Sequence, residues 1–183
     1  MLNGVTKQNF NLKPLKRIAI TGPESTGKTW LAQHLASHYQ TVYVPEYAVE
    51  YLKKNGPDYN QEDIVNIAKG QLKQENELVE KSKRLLFCDT DLMVTKIWSK
   101  VVFGSVPRWI EQKVKEHQYD LYLLCYPDIE WEYAPFRQNP DDRDYLFGLY
   151  EEEMQKQHFN YRIIKGHGNQ RLKNAINFVD ELI

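Results

Sequence analysis

Gly22-Pro23-Glu24-Ser25-Thr26-Gly27-Lys28-Thr29 fits the spacing G-x-x-x-x-G-K-[ST], and each fixed position in it has a chemical reason. Glycines let the backbone turn tightly, so that successive N–H groups can surround phosphate oxygens. Lys28 would bring a positive charge between the β- and γ-phosphates, the Thr29 hydroxyl is a ligand for Mg²⁺, and a helix starting there adds its partial positive charge. The pattern predicts that a nucleoside triphosphate, ATP with Mg²⁺, binds through Gly22, Pro23, Glu24, Ser25, Thr26, Gly27, Lys28 and Thr29. Trp30, the next residue, is expected on the same side.

Carboxylates and arginines elsewhere could complete the chemistry. Leu85-Leu86-Phe87-Cys88-Asp89 is an apolar run closed by a carboxylate, the form expected of a group that holds Mg²⁺ or its waters. Asp91 competes for the metal and is also a candidate on the acceptor side; one of the two aspartates is expected to cap the following helix, where Asp is preferred. Glu46 follows a short apolar stretch and could bind an acceptor hydroxyl or take its proton, the alternative being a simple interaction with the helix dipole. Tyr47, Tyr51, Trp98 and Trp131 could line an acceptor pocket, although an aromatic on a helix is by default core packing. Arg137 and Arg143 lie in a Pro-, Asp- and aromatic-rich stretch and could neutralise charge on a phosphoryl group in transfer, with ion pairs to Asp141, Asp142 or Asp144 as the alternative. Lys28, Glu46, Asp89, Arg137 and Arg143 thus form the expected catalytic set, and Glu46, Tyr47, Asp91, Trp98 and Trp131 the acceptor set. His34 and His38 share a helix face without a third ligand and are expected to be solvated.

These residues need a scaffold that converges on one point. Short β-branched or apolar runs predict strands at 17–21, 41–44, 85–88, 120–125 and 161–164. Helical spacing is expected from Lys28, from Glu46, and over 61–82, 92–102, 107–117, 144–157 and 170–182, with Ile64, Ile67, Ala68, Leu72, Leu78 and Val79 on one apolar face. Alternating strands and helices imply an α/β fold: a five-stranded parallel sheet with right-handed crossovers and helices on both faces. Ligands in such sheets bind at the carboxyl ends of the strands, where Gly22, Glu46, Asp89 and Asp91 all fall. The segment 126–143 lacks a period and is expected to be a lid; residues 1–15 are expected to be a flexible tail ahead of one domain over 16–183.

Composition narrows the partners. With 183 residues the chain suits one domain, and 42% hydrophobic and 27% charged residues place it among globular proteins. A net charge of −1 with interspersed signs gives no basic face, so nucleic acid is not an expected partner and small molecules are. No signal peptide or membrane span is apparent, which points to the cytoplasm, and Cys88 and Cys125 sit in separate apolar runs as reduced, buried thiols. Oligomeric state is left open.

In ITGPESTGKT (20–29), VPEYAVEYL (44–52), IAKGQL (67–72), LLFCDTDLMVTKIWSKVVFG (85–104) and YDLYLLC (119–125) the chain resembles the ribosylnicotinamide kinase domain of the NadR-type NAD-biosynthesis proteins, from about Lys16 to the C-terminus. The resemblance implies a P-loop NTPase fold of nucleoside-kinase type and ATP-dependent phosphorylation of nicotinamide riboside at its 5′-hydroxyl. It departs from the family at Val49, where an Arg is common. The larger relatives carry adenylyltransferase and often DNA-binding modules that the segment before Lys16 is too short to hold, so the expectation is a stand-alone kinase. A kinase of another nucleoside, nucleotide or small metabolite, and an ATP-dependent sensor, are the alternatives.

Overall fold

The computed structural model describes residues 14–137 and 141–183; residues 1–13 of the expected tail and 138–140 of the expected lid lie outside the described residues. Five strands, β1 (Lys16–Thr21), β2 (Tyr43–Val44), β3 (Leu85–Asp89), β4 (Leu121–Cys125) and β5 (Tyr161–Ile164), form one parallel sheet in the order β2-β3-β1-β4-β5. In the register Ile18 stands between Phe87 and Leu121. The chain leaves β1 toward opposite edges of the sheet, so the crevice at its carboxyl end is the topological switch point where ligands of such sheets bind.

β3 and β4 are buried at every residue, as strands covered on both faces must be, which is why they read as unbroken apolar runs. Ile18, Ile20, Phe87, Leu121 and Leu123 face α1 (Lys28–His38) and α7 (Gly168–Asp180). Ala19, Leu86, Cys88, Tyr122 and Leu124 face a layer built from α3 (Gln61–Val79), α4 (Leu92–Phe103), α5 (Arg108–Glu116) and α6 (Arg143–Lys156). The remaining helix, α2 (Tyr47–Asn55), packs on α3. Each fully buried Leu, Ile or Phe contributes about 1.5–3 kcal/mol, so these two layers outweigh any single polar contact. A capping box starts α3: the Asn60 side chain accepts from Glu62 N and Asp63 N, and the Asp63 carboxylate accepts from Asn60 N.

The expected α/β architecture is the one observed, with shifts at the boundaries. β2 is only two residues long, α3 ends three residues before Ser82, and Arg143, placed by the sequence at the end of the lid, opens α6. Both cysteines are buried and free. Among the described residues no helix is long and apolar enough to cross a membrane.

Candidate nucleotide and acceptor site

β1 ends in Gly22, whose φ of 126° is closed to ordinary side chains; a Cβ there would lie 2.9 Å from the Cys125 carbonyl. Gly27 closes the loop at φ 75°, where a Cβ would press on Ile129 Cδ1 at 3.4 Å. Between them Ser25 is left-handed at φ 53°, and Thr26 Oγ1 donates to Pro23 O at 2.8 Å. The Lys28 ammonium donates to Gly22 O and Pro23 O at 3.0 and 2.6 Å, curled over the loop that it follows. All nine residues from Gly22 to Trp30 line one cleft of about 780 Å³. Trp30 stacks on His34 with ring centroids 4.0 Å apart, and His34 is half-buried, whereas His38 is exposed as expected.

The two aspartates after β3 point to different places because Thr90 between them takes a left-handed φ of 71°, unusual for a β-branched residue. Asp89 is 1% exposed, behind Thr29 and Lys28. Burial raises its carboxyl above the usual range, opposed by a hydrogen bond from the Thr29 side chain and by the Lys28 charge. Its Oδ1 has no hydrogen-bond partner among the described residues, an arrangement that leaves a buried acceptor open toward a cation or its water. No group of three or more His, Cys, Asp or Glu that could hold a metal is present among the described residues. A Thr hydroxyl, one carboxylate and substrate oxygens are the donor set that suits Mg²⁺, which keeps several waters. Asp91 instead turns inward, where its Oδ1 accepts from Thr21 Oγ1 at 2.8 Å and from Val94 N as the N-cap of α4.

Across the cleft, Glu46 is the N-cap residue of α2. Its side chain lines the cleft, and burial lifts its carboxyl to about 6. Asp89 and Glu24 push in the same direction, while Lys28 and Arg137 oppose it. Its backbone is clipped on both sides by Gln71, which accepts from Tyr47 N at 2.8 Å and donates to Pro45 O at 3.3 Å. The cleft is also lined by Val49, Leu52, Tyr59, Trp98 and Val101, a mostly apolar and aromatic set that Lys53 joins. Trp98 Nε1 donates to Tyr59 OH at 3.0 Å with the rings edge to face.

Several residues expected at the acceptor site are elsewhere. Tyr47 is not among the described residues that line the cleft; its ring lies over Gly70 of α3, where a Cβ would fall 1.9 Å from Tyr47 Cε1. Asp91 is spent on capping. Trp131 donates from Nε1 to Glu24 Oε1 of the phosphate loop at 3.3 Å and is not among the described residues that line the cleft. Arg137 lines the cleft and donates to Ser25 Oγ at 3.3 Å and Glu132 O at 2.5 Å. Arg143 is not among the described residues that line the cleft: its Nη1 donates to Ser25 O at 3.1 Å and Ile129 O at 2.9 Å. The two arginines therefore meet the same loop residue by different atoms. Two residues were missed, Gln71 and Arg171, both polar side chains on otherwise apolar helix rows: Gln71 follows Ile64, Ile67 and Ala68, and Arg171 precedes Ala175 and Val179.

A family model described as an AAA domain matches residues 17–171. The trifunctional NAD biosynthesis/regulator protein NadR of Escherichia coli (strain K12) is 27% identical over 121 residues, which is 64% of this chain and 30% of that protein, and the Salmonella typhimurium protein of the same description gives the same figures. The chain thus spans less than a third of the curated relatives it matches. A crystal structure of NadR in complex with NR superposes with a TM-score of 0.78 at 21% identity, over 92% of this chain and half of the other. A deoxyadenosine kinase from M. mycoides superposes at 0.65 with 14% identity, over 91% of this chain and all of the other. The fold is thus that of P-loop nucleoside and nucleotide kinases, and the likeness to NadR read from five sequence segments recurs in both comparisons. With a strand, a phosphate loop and a helix in the expected order, and a family match running from β1 into α7, the chain belongs to the AAA domain family.

Proposed function

We propose that the protein transfers the γ-phosphoryl group of ATP to the 5′-hydroxyl of nicotinamide riboside, giving nicotinamide mononucleotide for NAD biosynthesis. The observation that carries this reading is that Glu46 stands in one continuous cleft between the phosphate loop and an aromatic pocket. Backbone N–H groups of the loop and Lys28 would hold the triphosphate. Glu46, ionised above about pH 6, would accept the hydroxyl proton as the O5′–Pγ bond forms and the bond from Pγ to the β,γ-bridging oxygen breaks, releasing ADP. Mg²⁺, when bound, neutralises triphosphate charge; Thr29 would hold it directly and Asp89 directly or through water. Arg137 would face the charge that spreads over the transferring group.

The pocket supports a riboside with a cationic ring: the face of Trp98 or Tyr59 would add about 0.5–2 kcal/mol by cation–π attraction. Val49, at the position where the resemblance to the NadR-type kinase domain would suggest an Arg, lines this cleft. An acceptor panel with ATP and Mg²⁺ tests the proposal. Nicotinamide riboside is expected to be phosphorylated faster than adenosine, cytidine or thymidine, and Lys28→Ala to abolish transfer. Equal or faster turnover of an ordinary nucleoside would overturn the substrate assignment.

A further inference from the structure

Arg171 is 2% exposed, and its guanidinium binds four acceptors that belong to three separate segments. Nη2 donates to Thr26 O at 2.8 Å and to Tyr126 O at 2.9 Å; Nη1 donates to Asp128 Oδ1 at 2.7 Å and to Gly166 O at 2.9 Å. Asp128 is held in turn by Gly166 N at 2.7 Å, so the acidic partner cannot swing away without losing two bonds. The two terminal nitrogens are thus bonded twice each, while Nε is buried without a hydrogen-bond partner among the described residues; a charge this deep depends on its pairing with Asp128, and a lysine, with three donors on one atom, cannot reproduce the fork.

The contact with Thr26 O matters most. That carbonyl belongs to the Thr26–Gly27 peptide, and in a planar trans peptide the N–H points opposite to the C=O. Holding the Thr26 carbonyl toward α7 therefore holds the Gly27 N–H away from α7 and toward the interior of the phosphate loop. Gly27 has neither a side chain nor a restrictive φ to enforce that orientation by itself. Arg143 makes the same kind of bond to the preceding carbonyl, Ser25 O, and so fixes the Thr26 N–H. Two arginines outside the loop thus orient two successive amides.

We infer that Arg171 is a positioning residue that pre-orients the amides of the phosphate loop, so that α7 and the β5–α7 turn set the affinity for the triphosphate. The inference rests on triphosphate binding at this loop and not on the identity of the acceptor. Its test is titration calorimetry of Mg·ATP against the wild type, Arg171→Lys and Asp128→Asn, with thermal unfolding alongside and acceptor KM from steady-state kinetics.

Arg171→Lys is expected to weaken ATP binding about tenfold or more, the loss due to one misplaced charge-assisted bond, while acceptor KM stays within about twofold. Asp128→Asn, which keeps an acceptor for Gly166 N but removes the counter-charge, is expected to show the same bias in smaller measure. Wild-type ATP affinity in both variants, with only a lowered Tm, would overturn the inference, and so would equal losses for ATP and acceptor. A wild type that does not bind ATP would overturn the nucleotide reading itself.

Discussion

Thr21 at the end of β1 and Asp91 at the start of α4 are joined by a 2.8 Å hydrogen bond, side chain to side chain, in the buried space between two elements that carry the site. The bond turns Asp91 inward as the N-cap of α4, whereas Asp89, at the end of β3, lies against Lys28 and Thr29, so the two are expected to play different parts. Asp91→Ala removes an N-cap worth about 1 kcal/mol and orphans the buried Thr21 hydroxyl, which costs about 1–3 kcal/mol more. Urea unfolding is expected to show a loss in that range with kcat per folded molecule nearly unchanged. Asp91→Asn keeps an acceptor oxygen and sheds a buried charge whose carboxyl is already pushed up to about 6, so it is expected to retain most of the stability. A large fall in kcat for either folded variant would return Asp91 to the acceptor site.

Glu46 gives the site its pH dependence. Burial lifts its carboxyl to about 6 in the free protein, so the fraction able to accept a proton falls as pH drops through 6. kcat/KM, which reports on the free enzyme, is expected to rise about tenfold per pH unit below that point and to level off above it. Glu46→Gln is expected to flatten this limb and lower kcat by about 10²–10⁴, with ATP affinity little changed. A variant that lost ATP affinity and turnover in equal proportion would show that Glu46 acts on the nucleotide and not on the acceptor.

The sheet was legible because its strands β3 and β4 are buried on both faces and therefore spell continuous apolar runs, Leu85–Cys88 and Leu121–Cys125. The phosphate loop was legible because its chemistry needs fixed residue types at fixed spacing. The acceptor site was only half legible. Trp98 and Tyr47 look alike in sequence, and what separates them is a neighbour on another helix: the missing side chain at Gly70 draws the Tyr47 ring away from the cleft. Gln71, Glu75 and Arg171 show the opposite failure. Each occupies an apolar row of its helix, and a polar residue there signals a buried network without naming its partners, which come from distant segments. Glu75, for example, is fully buried and accepts from Tyr119 OH at 2.7 Å with His117 Nε2 at 2.9 Å, a pairing that no local pattern announces.

The separation of Arg137 from Arg143 makes the last prediction. Both stood as equivalent lid arginines in the sequence, yet Arg137 meets Ser25 through its hydroxyl with its guanidinium on the cleft wall, whereas Arg143 is fastened to two backbone carbonyls at the start of α6. A guanidinium on the cleft wall can respond to charge that develops only during transfer, so Arg137→Ala is expected to lower kcat by roughly 10³ with little change in KM for ATP. A guanidinium tied to Ser25 O acts before transfer by orienting the Thr26 amide, so Arg143→Ala is expected to raise KM for ATP with a smaller effect on kcat. Steady-state kinetics at saturating acceptor separates the two. Identical kinetic signatures in both variants would mean that the arginines work as one unit, and the assignment of Arg143 to the loop backbone alone would be wrong.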